Sequence, residues 1–285
     1  MSALLQIQNL SLSIRNKEIL QTVNLEIQKG EIFYLLGKNG SGKSTLLKAL
    51  LGVFDKVQGR ISLQGIDILN TARTVFLPLI GGLIEQAALY PHLSASENLR
   101  IIGSYYPKAL IAPTRIREVL TIVGLEQVQQ QKVATFSQGM RQRLGLALAI
   151  LHQPILVLLD EPTNTLDPEA IAQLRQLIER LNKEQGTTFL INSHQVEEAE
   201  RSAHRYAILK EGQLVYRSEA RQEYVITSAL EEAAGLQSKG RFTREGKSFE
   251  LYERSAIVEK HLWEKVVSEN PSLEEVFLAL HHSNL

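Results

Sequence analysis

Apolar positions recur at two spacings along the chain, and the change from one to the other marks its organisation. Leu5, Ile7, Leu10, Leu12 and Ile14 alternate with polar residues, with a slip near Asn9. Val23, Leu25 and Ile27 alternate again before Lys29-Gly30, a turn pair. This period of two predicts half-buried strands. The unbroken apolar run 32–36 predicts a strand covered on both faces. A Gly-rich segment follows, then a helix over 44–51 ending at Gly52, and a short strand over 59–65 between glycines. From about 93 to 153 the spacing turns helical, with helices expected over 97–102, 114–123 and 139–151. A second buried strand, 155–159, ends in Asp160, and a helix over 168–182 and a strand over 188–191 follow. Residues 206–209 and 213–216 flank Glu211-Gly212 and read as a hairpin. Beyond about residue 218 a small mixed segment is expected, built from 231–234, 241–247 and 249–252 and closed by a helix over 272–280 after Pro271. No internal repeat is visible. Buried strands alternating with helices predict an α/β core with a mainly parallel sheet.

The 285 residues suffice for one large or two modest domains. With 44% apolar and 22% charged residues the chain can bury a core, which excludes disorder as its main state. Its 31 Lys and Arg balance 31 Asp and Glu. The basic excess of a general nucleic-acid binder is missing, and no nucleic-acid partner is expected. The absence of cysteine excludes disulfide scaffolds, Cys-ligated metals and thiol catalysis. The longest apolar stretches, 75–84 and 144–151, fall short of the roughly 18 residues of a membrane-spanning helix. No secretory signal is visible at the start. Work at a membrane would need a span from another chain.

Chemistry concentrates at two strand ends. After the run 32–36 come Gly37, Lys38, Asn39, Gly40, Ser41, Gly42, Lys43, Ser44 and Thr45. Gly, four residues, then Gly-Lys-Ser fits the Walker A phosphate loop in full, between a strand and a helix. The glycines let successive N–H groups face phosphate oxygens, and the helix start adds its positive end. Lys43 can reach the β- and γ-phosphates, and the Ser44 hydroxyl can ligate Mg²⁺. Asp160, ending the second buried strand, can hold a Mg²⁺-bound water. Glu161 beside it is placed to activate water for attack on the γ-phosphate. ATP and Mg²⁺ are the expected ligands.

The stretch between these motifs resembles one family. Residues 136–140, FSQGM, followed by Arg141-Gln142-Arg143, resemble the signature motif of ABC ATPases, usually LSGGQ. Ser137 and Gly139 take its Ser and second Gly, and Gln138 and Met140 replace its first Gly and final Gln. Asn164-Thr165-Leu166-Asp167 looks like the D-loop, and His194 like the switch histidine. The ending 271–280, PSLEEVFLAL, is similar to that of ABC-2-type exporter ATPases. Aligned on Tyr90, the Q-loop position falls on Glu85, a choice familiar in bacitracin- and lantibiotic-exporter-like members, with Gln86 one residue late. Glu85 inherits a Mg²⁺-ligand role from the resemblance. The aromatic residue that usually stacks on adenine would fall near Ile14, which can pack on a base but cannot π-stack.

The resemblance implies a P-loop NTPase with a mainly parallel core sheet. An N-terminal antiparallel β subdomain, an α-helical signature subdomain at about 86–152 and a small α+β C-terminal appendage complete it. The ATPase domain would span 1–217 and the appendage 218–285. It also implies an ATPase whose two sites lie between two copies, or between this chain and a second ABC ATPase. The signature residues Ser137, Gln138 and Gly139 of one copy would cap the nucleotide of the other, with Asp167 nearby and His194 joining Lys43 and Glu161 in catalysis. A separate transmembrane permease would be the partner, the chain lying in the cytoplasm against the membrane's inner face and energising export. Groove residues 85–99 would grip a helix of that partner.

Other readings are weaker. Residues 182–185, NKEQ, place Gln185 where a guanine-reading motif needs Asp, which argues against a GTPase. A P-loop kinase would need an acceptor pocket in place of the Glu161 base. Soluble ABC proteins usually carry two ATPase domains, a coiled-coil insertion or zinc-binding cysteines, none visible here. His281-His282 lacks a surrounding metal cluster and reads as a solvated tail, His152 as a helix end, and Tyr105-Tyr106-Pro107 as helix-end packing.

Overall fold

A computed structural model describes residues 3–85, 87–106, 111–218, 224–228, 238–244, 247–253, 266–268 and 271–281. The expectations placed on Gln86, Pro107, 231–234, 245–246 and His282 lie outside the described residues. Strand β1 (Ala3–Ile14) pairs antiparallel with β2 (Lys17–Gln28). The slip near Asn9 is a break in strand register between Ile7 and Leu10, with Asn9 at φ 48°. The fully buried run is β3 (Ile32–Leu36), and α1 (Lys43–Leu50) follows the glycines. β4 (Gln58–Leu63) and β5 (Ile66–Asp67) extend the first sheet, in the order β2-β1-β4-β5.

A short helix α2 (Arg73–Phe76) leads to β6 (Ile80–Leu83). The helical region holds α3 (Ala95–Gly103), α4 (Pro113–Ile122) and α5 (Gln138–Ile150). Ser94 and Glu97 form a reciprocal capping box on α3, which satisfies two of its first N–H groups. β7 (Leu156–Asp160), α6 (Pro168–Gln185), β8 (Thr188–Ser193), α7 (Val196–Ser202), β9 (Arg205–Lys210) and β10 (Gln213–Arg217) complete the core. α6 runs past the expected 182 and stops where Gly186 turns left-handed at φ 66°.

The second sheet has the order β10-β9-β3-β8-β7-β6, parallel from β9 to β6, with β10 antiparallel as the hairpin partner of β9. Its strands divide their side chains between two cores. Tyr34, Leu36, Val157, Leu159 and Ile191 face the helices. Phe33, Leu35, Leu156, Leu158 and Leu190 face α1 and the first sheet. Each buried aliphatic side chain contributes about 1.5–3 kcal/mol. Burial on both faces is why these strands read as apolar runs and not as alternations.

A third sheet, β12-β13-β11-β14, is built from β11 (Tyr224–Ser228), β12 (Gly240–Arg244), β13 (Lys247–Glu253) and β14 (Val266–Ser268). The last helix, α8 (Leu273–His281), packs on β12, β13 and α7. Ile226, Phe242, Leu251 and Val276 join the helix-side core of the central sheet.

Candidate active site

The parallel strands end together, so β3, β7 and β8 deliver their C-terminal residues to one edge, where open α/β sheets bind ligands. The loop after β3 is pinned from both sides. Gly37 N–H donates to Ser193 O at 3.2 Å, and Ser41 O accepts from Gly212 N–H at 2.9 Å. Gly37 has no room for a side chain, because a Cβ would strike the Leu209 carbonyl and Ser41 Oγ. Gly42, at φ 109°, precedes α1 in a conformation closed to other residues and gives no side-chain cap. The first N–H groups of α1 therefore have neither an intrahelical acceptor nor a capping side chain. Ser41 Oγ is buried without a hydrogen-bond partner. An orphaned hydroxyl beside uncapped N–H groups is what a phosphate cradle offers to an oxyanion.

Lys43 is 5% exposed, and its Nζ donates to Gly37 O at 2.6 Å and Lys38 O at 3.2 Å. It also lies 3.2 Å from Glu161 Oε1, at ion-pair distance although outside hydrogen-bond geometry. The other carboxylate oxygen, Oε2, meets His194 Nδ1 at 2.8 Å. Lys43, Glu161 and His194, from three segments, thus form one chain of contacts across the strand ends. Glu161 sits at φ 49°, a strained conformation for a side-chain-bearing residue, and its N–H is fixed to Asn192 O at 3.0 Å. Asp160 is buried and accepts from Asn192 Nδ2 at 2.8 Å. Asn192 carried no motif. Its role follows from register alone, since β7 and β8 pair Asp160 with Asn192.

Asp160 and the start of α1 at Ser44 offer hard oxygen ligands suited to Mg²⁺. Among the described residues no three His, Asp or Glu side chains cluster to hold a metal. A cation there would need phosphate oxygens as further ligands, which fits a metal that arrives with a triphosphate.

Glu85 lies elsewhere on this edge. It stands at φ 63°, and its carboxylate accepts from Lys48 Nζ of α1 at 2.6 Å. That lysine holds the Glu85 carboxyl below the usual carboxylate range. Lys48 carries no motif, and only the fold reveals it. Ile14 ends β1 partly exposed.

Ser137 caps α5, its Oγ accepting from Met140 N–H at 3.2 Å. Gln138 Nε2 donates to Thr165 Oγ1 at 3.4 Å, and a Cβ on Gly139 would sit 3.1 Å from Ala170 Cβ. Asp167 caps α6, accepting from Ala170 N–H at 2.8 Å. The signature and D-loop segments therefore pack against each other, at the starts of two adjacent helices. His152 is buried, bonds Ile80 O at 3.1 Å and stacks on Tyr106 at 4.2 Å, so both residues are packing elements. His281 is likewise packed, stacked on Phe277 at 4.2 Å.

The fold and this edge define a P-loop nucleoside triphosphatase. The family model for ABC transporters matches residues 20–164. The chain is 40% identical over 219 residues to YcbN of Bacillus subtilis, an uncharacterised ABC transporter ATP-binding protein, covering 75% of this chain and 69% of YcbN. It is 38% identical over 216 residues to the lantibiotic transport ATP-binding protein SrtF of Streptococcus pyogenes, covering 76% and 91% of the two chains. Among solved structures it is similar to the ATP-binding cassette MJ0796 in a dimeric post-hydrolysis state with ADP and Pi, with TM-score 0.67, 27% identity and coverage of 75% and 97%. The chain belongs to the ABC transporter family, as an ATP-binding subunit related to the bacitracin- and lantibiotic-exporter-like ATPases. It is an ATPase that energises transport through a separate membrane subunit. Among the described residues no helix is long and apolar enough to cross a membrane.

Proposed function

We propose that two copies of this chain close around two ATP molecules and that hydrolysis drives export of an amphipathic peptide or drug through a separate permease at the inner face of the membrane. The division of labour within the chain follows the sequence boundaries: an ATPase part over 1–217, with its signature subdomain near 86–152, and an appendage over 218–285. The observation that carries the catalytic reading is the contact chain Lys43–Glu161–His194 beside the uncapped start of α1.

Lys43 and Glu161 stand at ion-pair distance, 3.2 Å. ATP phosphates compete for Lys43, and the loop 37–45 wraps them with N–H groups and the Ser41 hydroxyl. Glu161, released from Lys43 and still held by His194, accepts a proton from water as the water oxygen attacks the γ-phosphorus. The bond to the bridging oxygen breaks, leaving ADP and phosphate. Ser44 and Asp160 would hold Mg²⁺, which when bound would neutralise phosphate charge, and Glu85 would join them only on release from Lys48. Asn192 keeps the Asp160 carboxylate aimed by donating to Oδ1. Ser137, Gln138 and Gly139 of the second copy complete the site through the start of α5.

SrtF is named for lantibiotic transport. That name and the Glu85 substitution favour peptide antibiotics as cargo. ATP-dependent uptake of a peptide antibiotic into inside-out vesicles carrying this chain and its permease tests the reading. Equal uptake with the Lys43→Ala chain would overturn it.

A further inference from the structure

Helix α8 is bonded to the phosphate loop at one end and to α7 at the other. Its buried face, Leu273, Val276, Ala279 and Leu280, packs into the helix-side core. At its start, Ser272 and Glu275 cap each other's backbone N–H groups, at 3.2 Å and 2.8 Å. Leu273 N–H there donates to Glu200 Oε1 at 3.2 Å, on α7, the helix that begins two residues after His194. At the other end the carbonyls of a helix point outward and carry partial negative charge. Two lysines meet them. Lys210 Nζ donates to Leu280 O at 2.7 Å, and Lys38 Nζ donates to His281 O at 3.1 Å. Lys38 belongs to the phosphate loop, and Lys210 ends β9 next to Leu209, whose carbonyl lies against Gly37. Burial, and after it the positive charge of Lys38, Lys210 and Lys43, hold the His281 ring below its ordinary pKa.

We propose that α8 is a positioning element of the triphosphate site: Lys38 and Lys210 tie its carbonyl end to the phosphate loop, and Glu200 ties its amino end to the helix behind His194. The inference rests on residues 37–45 being that site. Packing alone would need only the apolar face. A carbonyl end aimed at an anion site is unfavourable unless cations stand between, and here one of those cations is part of the loop itself. Lys38 is shared between helix and phosphates, so nucleotide binding is felt at α8, and α8 in turn sets the loop's geometry.

Hydrogen exchange on the intact wild-type chain, with and without MgADP, reads the first half of this statement. Slowed exchange in 37–45 together with altered exchange in 273–281 is the expected result. The second half is read by Lys210→Met, a residue outside the phosphate loop. Its KM for ATP should rise about 2- to 5-fold with kcat retained, and Lys210→Arg should restore it. Protection of 37–45 with unchanged exchange in 273–281, or a folded Lys210→Met chain with wild-type KM, would overturn the role of α8. No protection in 37–45 would instead sink the phosphate-site reading. Should Lys210→Met fail to fold, the wild-type exchange decides by itself.

Discussion

Replacing Glu161 by Gln changes one charge and almost no volume, and the structure makes two separate demands on the outcome. The first is kinetic. A glutamine cannot take the proton from water, so kcat should drop about 10²- to 10⁴-fold. The second is thermodynamic and has the opposite sense. Glu161 Oε1 lies 3.2 Å from the buried Lys43 Nζ. At an effective dielectric near 20 the gross attraction over that distance is about 5 kcal/mol. Desolvation cancels most of it, leaving the net of a charge-assisted contact, about 1.5–3 kcal/mol. The glutamine carbonyl retains part of that. About 1 kcal/mol of competition for Lys43 therefore disappears, and ATP should bind about 5-fold more tightly. Phosphate release under saturating ATP reads the rate. Calorimetric titration with ATP, which the variant no longer turns over appreciably, reads the affinity. A variant that hydrolyses within a few-fold of wild type refutes the base assignment. A slow variant that binds ATP more weakly refutes the competition between Glu161 and phosphate for Lys43.

Lys43→Ala removes the ammonium that would meet the phosphates, and titration should show ATP affinity down by at least about tenfold, as for loss of a charged hydrogen bond. Asp160→Asn should raise the Mg²⁺ concentration needed for half-maximal hydrolysis while leaving metal-free ADP binding near wild type, which a Mg²⁺ titration of both signals checks. Gly81→Ala would drive a methyl group into the Ala149 carbonyl, and melting curves should show about 1–3 kcal/mol of lost stability. His152 and His281 are held below the ordinary histidine value of 6.5, mainly by burial. The unfolded chain then binds more protons than the folded one once the pH falls below 6.5, so melting temperature should decline from there toward the folded values, and less steeply in His152→Phe.

What the sequence made legible follows from where burial is symmetric. β3 and β7 are covered on both faces, so their composition announces them, and the loop after β3 must meet a phosphate within nine residues and therefore shows its chemistry as a contiguous string. β6 escaped notice because Gly81 and Gly82 carry no strand preference. Gly81 is there for the close approach of α5, which a linear pattern does not encode. α7 escaped because VEEAERS is mostly charged, with Val196, Glu198 and Ala199 its buried residues. In the site, Asn192 and Lys48 were invisible for a different reason. Each acts through one partner in another segment, Asp160 and Glu85, and a single Asn or Lys has no spacing to recognise. The tie between Lys38 and His281 spans 243 positions and depends on a helix docking that no local period predicts.

The geometry also bears on why the proposed sites work as a pair. Glu161 and the capping residue Asp167 are the two ends of one short segment, and two of its residues are conformationally strained, Glu161 at φ 49° and Thr165 at φ 65°. That segment bonds in both directions. Its first residue reaches Lys43 and His194 in its own site, and Thr165 bonds Gln138 at the start of α5. The proposed role of α5, however, is at the partner copy's nucleotide. A change in how Glu161 is held, as ATP draws Lys43 away or as the γ-phosphate departs, bears on a strained turn that has few ways to relax. One of these would be a shift at Thr165, which would carry the start of α5 with it through Gln138. Coupling of this kind needs only a short strained connector with a ligand-sensing group at one end and a ligand-capping helix at the other. In the proposed dimer, such a connector would make hydrolysis in one site a mechanical event in its twin.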